Sequence, residues 1–62
     1  MMIIMKANAT PQQVEAVIER VKAEGLNVHL SQGVEATIIG AIGETHNIPL
    51  DRFESLDGVD LV

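Results

Sequence analysis

His29 and Ser31 are the residues of this chain whose types and spacing allow chemistry together. They alternate with Val28 and Leu30 in the run Asn27 to Ser31, the pattern of a half-buried strand. Period two puts the imidazole and the hydroxyl on one strand face, about 7 Å apart from strand rise. Imidazole donates or accepts and a hydroxyl does both, so the pair suits a polar group such as a phenol. Without a ligand, the same two residues are solvated positions of an edge strand. His46, in the polar stretch Gly43 to Asn47, reads as a surface-loop residue.

Other chemistry is scarce. The chain has no Cys, Tyr or Trp, no Ser-His-Asp arrangement and no glycine loop of the phosphate-cradling kind. Two histidines are too few for a transition-metal site, and the missing thiols exclude a disulfide framework. Gly40 and Gly43 fall in or just after an apolar run, where glycine permits a bend or close backbone approach. The net charge of −5, from nine acidic and four basic residues, argues against nucleic acid, which needs clustered cations. Phe53 is the only aromatic residue, so there is no stacking platform for bases. A hydrophobic content of 47% is that of a folded domain. No apolar run approaches the roughly 18 residues of a membrane span, and Met1 to Met5 is too short for a signal-peptide core, so a cytoplasmic location is expected.

Sixty-two residues make a single domain, 1–62, near the lower size limit for folding unaided. Met1 to Met5 reads as a strand. Thr10 is then a helix N-cap, with Pro11 at the first helical position and Gln13 completing a capping box. Val14, Val17, Ile18 and Val21 give that helix one apolar stripe, and Gly25 ends it. A second strand over Asn27 to Ser31 and a third over Ala36 to Ile42 pair through a turn at Gln32-Gly33. Pro49 can start a second helix, with Asp51 and Glu54 as a rival capping box. Leu50, Phe53 and Leu56 form its buried side, and Gly58 stops it. Val59 to Val62 begins a fourth strand that the chain barely has room to make.

The order β-α-β-β-α-β is the split pattern of an α+β ferredoxin-like sandwich, an antiparallel sheet with two helices on one face and a truncated fourth strand. Strands one and three are then central neighbours. With Ile4, Ile38 and Ile42 under the helices, Ile3, Met5, Ile39 and Ala41 face outward as an interface; the opposite register leaves a similar apolar set outside. An exposed patch of that kind marks an interaction surface. Three chemistries known on this fold fail on residues. A metal-chaperone loop lacks its cysteines, a phosphate-binding loop after the first strand lacks its arginine, and RNA-binding strands lack their aromatics. The chain stops in its fourth strand with no polar tail, so it is expected to be the N-terminal piece of something longer.

Four motifs carry a resemblance across essentially the whole chain. These are Met-Ile-Ile-Met-Lys at the start, His29-Leu-Ser31-Gln-Gly33, Thr37-Ile-Ile-Gly40-Ala-Ile-Gly43 and Phe53-Glu-Ser-Leu-Asp-Gly-Val59. In this order they resemble the N-terminal ferredoxin-like domain of 3-deoxy-D-arabino-heptulosonate 7-phosphate (DAHP) synthases, also called phospho-2-dehydro-3-deoxyheptonate aldolases. The resemblance implies a regulatory domain preceding a (β/α)8 barrel. In the family, that barrel condenses phosphoenolpyruvate with erythrose 4-phosphate using a divalent metal, the first step of the shikimate pathway towards aromatic amino acids. None of that catalysis or metal binding falls on these residues. The resemblance further implies that tyrosine or phenylalanine binds between regulatory domains of different subunits, and that the closed pair obstructs the barrel. The family's His-x-Ser pair carries over onto His29 and Ser31, with Gly40 a further candidate where backbone can approach the ligand. Two other functions fit the residues: a ligand-free oligomerisation or docking module, and a free-standing amino-acid-binding domain of the ACT type.

Overall fold

The computed structural model describes all residues from Met1 to Val62. Strand β1 (Met2–Met5) leads through a short turn to helix α1 (Pro11–Ala23). Strands β2 (Asn27–Gln32) and β3 (Thr37–Ile42) form a hairpin, followed by helix α2 (Asp51–Glu54) and strand β4 (Val59–Leu61). One antiparallel sheet joins them in the order β2-β3-β1-β4, so β1 and β3 are central. This is the ferredoxin-like α+β sandwich, with β2 and β4 at its edges.

Local chemistry explains the boundaries of α1. The Thr10 side chain accepts from the Gln13 backbone N–H at 3.1 Å, and Gln13 Oε1 accepts from the Thr10 N–H at 3.0 Å. Two of the helix's orphan donors are thereby satisfied. At the other end Gly25 has φ +81°, the left-handed conformation that glycine adopts at no steric cost. Helix α2 is a single turn without a side-chain cap. Leu50 occupies the N-cap position, so the Asp51/Glu54 capping box does not form, and Leu50 is half exposed instead of buried. Two things hold this turn in place. Phe53 is fully buried, and Arg52 Nη1 donates to Glu24 Oε1 at 2.8 Å across to the end of α1.

The pairing register decides which face is inside. Met2, Ile3 and Ile4 lie opposite Gly40, Ile39 and Ile38. On the other side of β3, His29, Leu30 and Ser31 lie opposite Gly40, Ile39 and Ile38. Directly opposed residues share a face, so His29, Ser31, Gly40, Ile38, Met2 and Ile4 stand on one side of the sheet. Ile3, Met5, Ile39 and Ala41 stand on the other, and are 0–2% exposed. They pack with Val17, Val21, Leu26, Phe53 and Val59 into one core beneath the helices.

The expected interface set of Ile3, Met5, Ile39 and Ala41 is therefore corrected: these four side chains are core, and the opposite register holds. The physical reason lies in β2. Its polar alternates, His29 and Ser31, must stay on the face without helices, and strand pairing then commits β3 and β1 to the same phase.

Candidate functional site

The face of the sheet away from the helices carries a depression of about 410 Å³. Its polar side comes from β2, through His29 and Ser31. Met1, Met2, Ile38 and Ile42 supply apolar walls, while Gly40 and Ala41 of β3 complete the lining. The N-terminal residue is fixed in place because its ammonium donates to Ala41 O at 3.2 Å and its carbonyl accepts from Ala41 N–H at 2.8 Å.

All three residues assigned to a ligand from the sequence thus meet in one place. His29 is directly opposite Gly40 across the β2–β3 ladder, and Ser31 follows two residues along on the same face. Neither polar side chain hydrogen-bonds to anything within the chain. Their donors and acceptors are exposed and free to meet a ligand. A β-carbon placed on Gly40 would lie 3.4 Å from His29 O and 3.5 Å from His29 Cβ. The missing side chain therefore leaves room beside the imidazole.

Met1, Met2, Ile38 and Ile42 were not singled out as site residues from the sequence. Their signal was the ladder itself: once His29 is paired with Gly40, the even-numbered residues of β3 follow it onto the open face. Met2 and Ile42 are each 57% exposed, an unusual position for large apolar side chains that invites cover. No charged side chain lines the depression. His46 lies elsewhere, in the loop after β3, with Nδ1 at 3.2 Å from Glu44 Oε2 and both side chains open to solvent. No cluster of three or more His, Cys, Asp or Glu side chains forms a metal-binding group, and no helix is long and apolar enough to cross a membrane.

Helices on one side and an apolar, His/Ser-edged depression on the other define a class: a small ferredoxin-like module with one bare sheet face. The chain belongs to the DAHP synthase ferredoxin-like domain family, whose model matches residues 1–62. It is 36% identical over 62 residues to the phospho-2-dehydro-3-deoxyheptonate aldolase of Thermotoga maritima, covering all of this chain and 18% of that enzyme. The crystal structure of a Thermotoga maritima DAHP synthase at 1.92 Å resolution superposes with a TM-score of 0.86 at 34% identity, over 95% of this chain and 17% of that one. The chain thus spans less than a fifth of the relatives it matches.

Proposed function

We propose that this domain is the feedback sensor of a DAHP synthase, binding tyrosine or phenylalanine on its open sheet face between paired copies. The convergence of His29, Ser31 and Gly40 on one apolar depression carries this reading. A phenolic hydroxyl fits between the imidazole and the serine hydroxyl, each of which can donate to it or accept from it. The ring then lies against Met2, Ile38 and Ile42, with Gly40 giving it access to the strand backbone. The depression has no charged side chain for the amino acid's zwitterionic end, so a second copy has a role in completing the site.

In this reading the effector binds the paired state more tightly than the open one and shifts the population towards it. The closed pair then obstructs a (β/α)8 barrel, which condenses phosphoenolpyruvate with erythrose 4-phosphate with the help of a divalent metal. The domain supplies the switch, and the barrel supplies the catalysis. The test is a titration of the natural enzyme with each amino acid, where activity should fall as tyrosine or phenylalanine rises. Unchanged activity at millimolar concentrations of both sinks the sensor reading.

A second reading is favoured by the exposed apolar residues Met2, Ile42 and Leu61. In it the open face is a docking surface that needs no small molecule. Calorimetry separates the two, because a pure docking surface gives no heat with aromatic amino acids.

A further inference from the structure

Of the four motifs that carry the family resemblance, Phe53 to Val59 takes no part in the open face. It contains Asp57-Gly58, the only Asp or Asn of the chain that is followed by glycine. That order has a chemical meaning. The side-chain carbonyl carbon of Asp or Asn lies one five-membered ring from the next backbone nitrogen, and glycine sets no side chain in the way of ring closure.

The structure leaves both reacting groups of this dipeptide free. Asp57 is exposed, and its carboxylate takes part in none of the ion pairs or side-chain hydrogen bonds. Gly58 lies outside every helix and strand, and its N–H donates to no group of the chain. The other Asp and Asn residues are each held back. Asn8, Asn47 and Asp51 precede Ala9, Ile48 and Arg52, whose N–H groups donate to Lys6 O at 3.0 Å, Thr45 O at 3.0 Å and Pro49 O at 3.2 Å. Asn27 and Asp60 lie in strands before the branched residues Val28 and Leu61, where extended backbone and side-chain bulk oppose the ring.

The reactive bond is bounded by anchored groups. Phe53 upstream and Val59 downstream are both core residues. Val59 N–H donates to Leu56 O at 3.2 Å, closing a turn across the Asp57–Gly58 bond. Gly58 O accepts from Lys6 N–H at 2.7 Å, just beyond β1. On its other side Gly58 lies against Gln13, the residue whose Oε1 caps the start of α1.

We propose that Asp57 is a site of spontaneous isomerisation to isoaspartate, and that the change loosens the join between β1, β4 and the start of α1. The Gly58 nitrogen attacks Asp57 Cγ and an N–Cγ bond forms. The carboxylic OH leaves and takes the nitrogen's proton with it as water, giving a succinimide. Water then opens the ring. Cleavage of the N–Cγ bond restores aspartate, and cleavage between the nitrogen and the main-chain carbonyl carbon of Asp57 gives isoaspartate. Nothing is oxidised or reduced, and the water lost is regained.

The product runs its main chain through Cβ and Cγ of residue 57, so the turn is longer by one methylene. Neither Phe53 nor Val59 can slide to take up that length without opening the core, so the turn itself has to yield. The groups that move with it are the Gly58 carbonyl held by Lys6 and the backbone pressed against Gln13. The proposal does not depend on what binds the open face.

Prolonged incubation of the intact natural protein in neutral buffer tests the chemistry. A protein isoaspartyl methyltransferase with S-adenosylmethionine labels the product, and electron-transfer fragmentation of the digest locates it, since the mass is unchanged. Within residues 1–62 the label should accumulate at Asp57 alone, preceded by a succinimide lighter by one water. Asp57→Glu, which would need a larger ring, should remove the label. Asp57→Asn, whose neutral amide is the better electrophile, should accelerate it. If residue 57 gains no label while an unfolded peptide of the same sequence does, or if Asn8 or Asn47 gains as much, the proposal is overturned.

Hydrogen exchange tests the structural consequence in the same samples. The Lys6 amide should exchange about tenfold faster in chains carrying isoaspartate, the effect of weakening one backbone hydrogen bond. Unchanged exchange at Lys6 in such chains would confine the change to the turn and overturn the loosening of the join.

Discussion

A methyl group added at Gly40 meets the His29 backbone oxygen and Cβ at the near edge of ordinary contact, and Gly40 is not among the glycines with positive φ. The fold can therefore accept Gly40→Ala, which also removes conformational freedom from the unfolded chain, an effect of about 0.4–1 kcal/mol. The added carbon nevertheless occupies the space beside the imidazole where the ring should lie. Denaturant unfolding should show equal or slightly greater stability, while calorimetry should show tyrosine affinity falling by about tenfold, or about 1.4 kcal/mol. Retained affinity would place the ligand away from β3. His29→Ala is expected to discriminate in another way. It should weaken inhibition by tyrosine more than by phenylalanine, because only tyrosine has a hydroxyl for the imidazole; equal losses would show that His29 does not contact the phenol. These residues were legible in the sequence because a polar pair alternating with apolar neighbours marks a solvent-facing strand surface. Their apolar companions were not. Met1 to Met5 and Ile38 to Ile42 are apolar on both faces apart from Gly40, so their own alternation holds no sign of which side is out.

At the scale of elements, the first helix could be read from start to finish, because its cap, stripe and terminator are all local signals. Thr10, Gln13 and Gly25 each take the role their chemistry suggests. The second helix is a single turn, too short for local signals to dominate. Its apparent capping box lost to the packing of Phe53, which fixed the turn one residue after Leu50. A link between elements that no local pattern announces is Gly58, at φ +85° beside α1. An added β-carbon there would lie 2.7 Å from Gln13 Oε1, the atom that accepts from Thr10 N–H. Gly58→Ala must therefore strain the backbone by about 1–2 kcal/mol and disturb a cap contributing about 1 kcal/mol. Chemical denaturation should report a loss of about 2 kcal/mol, with Thr10→Ala costing about half as much. If the loss at Gly58 is below that of Thr10→Ala, the two elements are not coupled through Gln13.

For the molecule as a whole, nine buried side chains are the entire core, and Phe53 is the largest of them. A core of this size rarely supplies more than about 3–5 kcal/mol, and truncating a buried Phe to Ala costs about the same. Phe53→Ala should therefore abolish the cooperative thermal transition seen by circular dichroism in this domain. A melting temperature within a few degrees of the parent would mean that stability comes from contacts outside this core. The two edges of the sheet differ in regularity: β2 runs in unbroken register with β3, whereas the β1–β4 register slips by one residue between Ile4 and Met5. A strand arriving at β4 meets a broken ladder and the exposed Asp60 carboxylate, which blunt that edge against pairing.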